Sequence, residues 1–426
     1  MVSDLLPKSD LPRGKEATAA HFPVTKVCFI SPYPPQKGGI SEYSKSLAEE
    51  LGRHMKVTVF AQKIEAPAGE VDSPNVFVKR IWKPNSILAP LKLFKETIKE
   101  SPDVVHLQYE SYGLYGILDF LTTPILIILL RFACRKEVIT LHSFLILPSE
   151  RTQDRDYITS GSSGKFIKYA YQVLRTTVKL SLRFASTIIV HSDFIAMRIA
   201  QAISRDYRIA VIPIGSATSD NTYSKEEARR RLGFIASKMI LFFGFISASK
   251  NIHELIDASQ EVLNKDPDAL VVIAGIPAEF DPNGRRYLDD LRKRADWTRR
   301  IVFVDRFVDT NEMDLLFAAA DVVVLTYSIV QGSSATLSTA LGYGVPVIVP
   351  EGGIAAKDVG LNEVGLTYKR GDVGCLADRI TSILSNEQLR GELAVNAKRA
   401  ARTRSWNVVA RETMRVYCAE DGRKTA

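Results

Sequence analysis

The sequence predicts an α/β fold made of two doubly wound halves, and three observations carry that expectation. The chain has 426 residues, more than one hydrophobic core supports once cores stop growing near ~250–300 residues. From Val24 onward, short β-branched runs alternate with helical stretches, the pattern of βαβ units and a mainly parallel sheet. A polar stretch without apolar periodicity, residues 215–224, interrupts the alternation near its middle and reads as a linker.

Strands are expected in the first half at 26–30, 57–60, 76–80, 104–108, 138–141, 187–190 and 209–212. A second series follows at 239–243, 270–274, 301–304, 322–325, 347–349 and 366–368, with amphipathic helices such as 251–264 and 310–320 between them. The domains then run as a disordered leader (1–20), a first domain (21–214), the linker (215–224) and a second domain (225–404). A last helix at about 405–421 is expected to return to the first domain and complete it.

Composition narrows the class. Apolar residues are 46% and charged residues 24%, as in ordinary globular proteins. Cys28, Cys134, Cys375 and Cys418 form no CxxC pair, so neither a zinc knuckle nor a disulfide framework is indicated, and a reducing cytoplasm is expected. Residues 1–20 lack the apolar centre of a signal peptide. The longest apolar run, 121–130, falls well short of the ~20 residues a membrane-spanning helix needs.

A net charge of +8 invites an anionic partner. No zinc-finger, P-loop or aromatic-basic pattern points to nucleic acid. One basic cluster, Lys165, Lys168, Arg175, Lys179 and Arg183, sits among apolar residues in KFIKYAYQVLRTTVKLSLRF. It reads as an amphipathic helix able to rest on an anionic membrane surface.

In open α/β sheets ligands bind beyond the carboxyl ends of the strands, so the loops after strands are the candidate sites. In SPYPPQKGGISEYSKSLAEELG, Gly38 and Gly39 open a helix whose unpaired N–H groups suit a phosphate. His106 in VVHLQYE and His142 in VITLHSF lie at or past strand ends, where an imidazole can exchange a proton or hold a sugar hydroxyl. Glu110 reads either as a carboxylate for acceptor hydroxyls or as an ordinary exposed loop glutamate. In FFGFISASKNIHELIDA, Gly244 follows a strand and Lys250 precedes a helix, placing a mobile cation where a leaving diphosphate would be. In VVVLTYSIVQGSSATLSTALGYGVPVIVPEGG, the loop from Gln331 and Gly332 to Ser333 and Ser334 opens a helix with exposed backbone donors.

With that loop, the ordered motifs resemble family 4 of the GT-B glycosyltransferases over nearly the whole chain. DVVHLQYE, TLHS, VHSDF, AVIPIG, FFGFISASKN, VVIAG, AAADVVVL, LGYGVPVIV, GDVGCLADRI and SWNVVA all contribute. The resemblance implies two Rossmann-like domains facing across a cleft. It implies transfer of a hexosyl group from a nucleoside-diphosphate sugar to a hydroxyl acceptor, with retention at the anomeric carbon. The acceptor is expected to be lipid-linked or a polysaccharide precursor, and the protein cytoplasmic, peripheral on the inner face of the membrane. His142, Lys250 and Gln331 would be catalytic. Gly38, Gly39, Gly244, Lys250, Gly275, Phe307, Gly332, Ser333, Ser334 and Thr339 would bind the donor, with His106 and Glu110 on the acceptor side.

No metal or other cofactor is implied, because protein cations and helix dipoles take the place of an ion on the diphosphate. The sequence departs from the family where the two-glutamate motif falls on Gln331 and Thr339, and where the usual arginine falls on Phe245 or Ser247. Those losses make a catalytically weak relative serving as a partner or regulatory subunit the alternative reading.

Overall fold

The computed structural model describes residues 24–64, 70–83, 86–110, 119–142, 176, 180, 182–203, 208–217, 223–277, 281, 283–327 and 333–419. The chain divides into two compact units, one made of Met1–Pro213 with Val409–Ala426 and the other of Ile214–Val408.

The first unit runs β1 (Lys26–Ile30), α1 (Gly39–Gly52), β2 (Lys56–Gln62), β3 (Glu70–Ser73), β4 (Val76–Trp82), α2 (Ala89–Glu100) and β5 (Val104–Tyr109). It continues with α3 (Asp119–Ala133), β6 (Lys136–Leu141), β7 (Thr187–Val190), α4 (Asp193–Ile203) and β8 (Ile209–Val211). Its described strands lie in the order β3-β4-β2-β1-β5-β6-β7-β8. Every neighbouring pair is parallel except β3 with β4. β5 and β6 are buried at every residue, because helices cover both faces of a parallel sheet, and their buried polar members His106, Gln108, Lys136 and Thr140 bond other protein groups.

The second unit begins with α5 (Lys225–Arg231), β9 (Lys238–Phe243), a 3₁₀ turn (Ala248–Lys250), α6 (Ile252–Lys265), β10 (Ala269–Ala274), α7 (Gly284–Ala295) and β11 (Ile301–Val304). There follow α8 (Thr310–Ala319), β12 (Val322–Val324), α9 (Ala335–Tyr343), β13 (Val347–Pro350), α10 (Ile354–Asn362), β14 (Gly365–Tyr368), α11 (Val373–Ser385) and α12 (Glu387–Thr403), after which α13 (Trp406–Cys418) begins in the second unit and from Val409 belongs to the first. The described strands form a parallel sheet in the order β11-β10-β9-β12-β13-β14. Side chains alternate across it: Met239 and Leu241 of β9 enter one apolar cluster, Ile240 and Phe242 the other.

Two joints decide how the chain is divided. From α13, Tyr417 bonds His106 inside the first sheet at 2.6 Å, and Lys136 Nζ donates to the carbonyls of Val416 at 2.6 Å and Ala419 at 2.5 Å. At the other joint, the first residues of the expected linker are packed. A Cβ on Gly342 would come within 2.0 Å of the Ala217 carbonyl oxygen, and one on Gly215 within 2.4 Å of the Trp406 ring. Ser216 Oγ donates to the Ser338 carbonyl at 2.8 Å. Polar and glycine-rich residues here reflect close approach to α9 and α13 rather than freedom.

Candidate functional site

In a doubly wound sheet the crevice opens where successive connections leave in opposite directions along the strand order. That point lies at β1/β5 in the first unit and at β9/β12 in the second.

In the second unit, three elements converge there. Gly244 continues β9 and Gly275 continues β10, their amides bonding the carbonyls of Ala274 and Val304 at 3.0 Å each. Both then turn through positive φ, +137° and +144°. A Cβ on Gly275 would stand 1.8 Å from the Gly244 carbonyl oxygen, so only glycine fits. Among the described residues, the nearest outside atom to a Cβ on Gly244 would be Thr336 Oγ1 at 3.9 Å, in the first turn of α9. Thr336 also donates to the Phe243 carbonyl at 3.3 Å, pinning that helix end to the end of β9.

α9 starts as its sequence predicts. Ser334 is the N-cap, its hydroxyl accepting from the Leu337 amide at 3.1 Å, and Gly344 ends the helix in the left-handed conformation. The first-turn amides of Ala335 and Thr336 have no intrahelical acceptor and carry the positive end of the helix dipole. Ser333 is half-buried beside them.

Lys250 is fixed at both ends. Its carbonyl accepts from Thr326 Oγ1 at 2.5 Å, and its ammonium lies 3.5 Å from the centroid of the Tyr327 ring. Thr326 and Tyr327 follow β12, so these contacts tie the β9 loop to the β12 loop across the crevice. A cation over an aromatic face keeps its charge for an anion while losing freedom to wander. Phe307, 39% exposed, follows β11, whose Val304 pairs with Ala274 beside Gly275. Gln331 and Gly332 lie outside the described residues. Thr339 is described, and its hydroxyl is spent on the Ala335 carbonyl at 3.0 Å within its own helix.

In the first unit, Gly38 precedes α1 with φ +151°, Gly39 is the helix's first residue, and a Cβ on either would meet nothing within 4 Å among the described residues. Next to this opening, four side chains of the sheet form a directed string with Tyr417. His191 Nδ1 faces the Ile212 carbonyl oxygen at 2.9 Å. A carbonyl only accepts, so Nδ1 holds the hydrogen and neutral His191 has its lone pair on Nε2, 3.2 Å from His142 Nδ1. His142 therefore donates from Nδ1 and accepts at Nε2, which contacts the Gln108 amide at 2.9 Å.

That direction requires Gln108 to turn its NH₂ group to His142, the isosteric reverse of the orientation with Oε1 there. Its oxygen then accepts from His106 Nε2 at 3.3 Å, which also donates to Thr140 Oγ1 at 2.7 Å. The Tyr417 hydroxyl donates to His106 Nδ1 at 2.6 Å. Burial in this low-dielectric interior pushes His106 down to about 3 and His191 down to about 4, and holds His142 well below the usual histidine range. All three are neutral near pH 7, as the string requires.

One expectation is corrected here. His106 is fully buried, with both ring nitrogens bonded to protein groups, so it has no place on an acceptor surface. His142 is half-buried at the end of β6, but its nitrogens are engaged by Gln108 and His191, and Tyr43 sets its ring edge-on at 4.7 Å. Glu110 is half-exposed just past β5.

Sequence reasoning passed over His191, Gln108, Thr326, Tyr327 and Thr336. The signal for His191 was present. His142 and His191 each follow a strand directly, and β6 pairs with β7 so that Leu141 opposes Val190, which brings the two imidazoles side by side.

Known proteins show where this architecture belongs. The model for glycosyltransferase family 4 matches residues 37–219, and that for glycosyl transferases group 1 matches residues 224–403. A D-inositol 3-phosphate glycosyltransferase of Corynebacterium urealyticum is 26% identical over 241 residues, 55% of this chain and 56% of that protein. The chain spans about half the length of the curated relatives it matches. Among solved structures, sucrose-phosphate synthase from Thermosynechococcus elongatus superposes with a TM-score of 0.73 at 20% identity, over 92% of this chain and 98% of that one. Anabaena Alr3699/HepE in complex with UDP and glucose gives 0.68 at 19% identity, over 92% and 99%. The fold is thus the GT-B fold, and the chain belongs to the group 1, family 4-type glycosyltransferases.

Proposed function

We propose that this chain transfers a hexosyl group from a nucleoside-diphosphate sugar to a hydroxyl acceptor, with retention. One observation carries the reading: a fixed cation, a glycine turn and a helix N-terminus meet at the switch point of the second unit. That set suits a diphosphate, whose negative charge grows as the bond from the sugar C1 to phosphate oxygen breaks. Lys250 and the first-turn amides of α9 stabilise that charge, so no metal ion is needed and a chelator should leave turnover unchanged. As C1 bonds the acceptor oxygen on the same face, the departing phosphate oxygen takes the hydroxyl proton. The engagement of His142 within the string favours this route, which asks for no imidazole base. A related structure holding UDP and glucose supports a nucleotide-sugar donor, and relatives named for D-inositol 3-phosphate support a hydroxyl acceptor.

The acceptor would be lipid-linked or a polysaccharide precursor, met at the inner face of the membrane. Of the basic segment expected to rest there, Arg183 is exposed, and Lys165, Lys168, Arg175 and Lys179 lie outside the described residues. Among the described residues no helix is long and apolar enough to cross a membrane.

A thermal-shift panel of UDP-, GDP-, ADP-, dTDP- and CMP-sugars tests the donor. A ligand at 100 times its Kd stabilises the native state by about 2.7 kcal/mol, so one class should raise the melting temperature. No shift with any of them would sink the reading. The second reading, a partner subunit, draws on the Thr339 hydroxyl being spent inside α9. It calls for a stable complex formed without nucleotide and no sugar turnover.

A further inference from the structure

The layer formed by α2 and α3 leaves an apolar surface uncovered. Both helices bridge parallel strands in the same sense, β4 to β5 and β5 to β6, so right-handed crossovers put them on one face of the sheet. There they pack side by side. Each is anchored by one side, α2 through Leu93 and Thr97, α3 through Leu126, Ile127 and Leu130. What remains points away from the sheet.

On α3 that outward side is a stripe at helical spacing, Ile125, Ile128, Leu129 and Phe132, with Ile125 50% and Phe132 78% exposed. On α2 and at its N-cap, Leu91, Ile98 and Leu88 are each more than half exposed. Single exposed apolar residues are ordinary, but two adjoining stripes of large side chains mark a surface that is covered in use.

The charges around it choose the cover. Lys92, Lys95 and Lys99 are exposed on α2, and Arg135 follows α3. Of the acids on the pair, Asp119 opens α3, Glu96 is taken up by Lys99 at 2.6 Å, and Glu100 is buried against Lys26 and Lys79. A second copy of this chain would bring one cationic rim against another. An anionic bilayer offers phosphate and carboxylate to the lysines and acyl chains to the apolar stripe. α3 has only 15 residues and contains Pro124, so it lies on a bilayer rather than spanning it.

We propose that the α2–α3 face docks the first unit onto an anionic lipid surface, Phe132 and Ile128 entering the headgroup layer while Lys92 and Lys95 hold lipid phosphates. This rests on the reading of the chain as working at a membrane, and supplies that reading with a surface made of described residues.

Flotation of the full chain with phosphatidylcholine vesicles, with and without phosphatidylglycerol, tests it. No sugar nucleotide is added, so the outcome is independent of transfer. Wild type should float with phosphatidylglycerol vesicles and release in high salt. Ile128→Glu with Phe132→Glu, and separately Lys92→Glu with Lys95→Glu, should each weaken partition at least about tenfold. These side chains are exposed, so melting temperatures should hold; Phe132→Ser alone provides a milder variant should the double one misfold. Salt-sensitive binding that both double variants retain would overturn this surface and leave the membrane reading standing. No binding by wild type would overturn both. A dimer that Phe132→Glu dissociates, without vesicle binding, would show the face to be a self-association surface instead.

Discussion

The two crevices are built from opposite materials. In the first unit the residues at the strand ends are neutral and bonded to one another, from Tyr417 through His106, Gln108 and His142 to His191 and the Ile212 carbonyl. In the second the strand ends carry unpaired polarity, a lysine above an aromatic ring and a helix N-terminus over a glycine turn. A buried polar network is costly unless every member is satisfied, and the histidine string meets that condition by a direction set at one end. An anion site must do the reverse and keep donors free. The difference teaches that an imidazole past a strand end is not by itself a catalytic group, whereas a cation held at both ends, with no ion pair among the described residues, is poised for a ligand.

The largest effect should come from the charged side. Lys250→Ala should lower kcat with a verified donor by about 10²–10³-fold, the usual loss of one electrostatic contact to a developing anion, with the melting temperature unchanged. Unchanged turnover would break the comparison at its strongest point. Gly275→Val should destabilise the second unit by about 2–4 kcal/mol in denaturant unfolding, because the side chain meets the Gly244 carbonyl and positive φ disfavours it. Gly39→Ala, with no atom of the described residues within 4 Å of the added Cβ, should leave stability unaltered.

The neutral side is tested by acid. Unfolded histidines titrate near 6.5, while His106 and His191 are held down to about 3 and about 4. Their depressed folded values mean that the unfolded chain takes up protons first. The stability tied to their neutral state is therefore complete above about pH 6.5 and is lost as pH falls towards 4. Hydrogen exchange should show the amides of β5 and β6 losing protection over that window, and less so in His191→Gln. Imidazole ¹⁵N shifts at neutral pH should find His142 protonated on Nδ1; protonation on Nε2 would reverse the string. The smallest effect is Ser334→Ala, about 1 kcal/mol of α9 capping, read as a small drop in melting temperature.

Much of the frame was legible because burial writes itself into strands. The boundaries 26–30, 187–190 and 301–304 coincide with β1, β7 and β11. β3 escaped, since EVDS is short, polar and antiparallel at an edge, and so carries neither an apolar run nor alternation. In the site, Gly244, Lys250 and Ser334 could be read because each follows a strand or opens a helix within a few residues. The partners of His106 and Lys250 could not, as Tyr417 is 311 residues from His106 and Thr326 is 76 from Lys250. Local pattern says nothing of which distant segments meet. His142 was legible only in part for the same reason: its position was plain, but the side chains occupying its nitrogens come from two other strands' ends.

The return of α13 to the first unit imposes an order on synthesis. A ribosome adding about 5–20 residues per second needs roughly 15–60 s to pass from His106 to Tyr417. The second unit, continuous from Ile214 to Val408, is synthesised within that interval, while His106 and Lys136 still lack their last partners. The segment emitted first is thus closed last, and a chain released early would carry one finished half and one whose buried imidazole stays open to water.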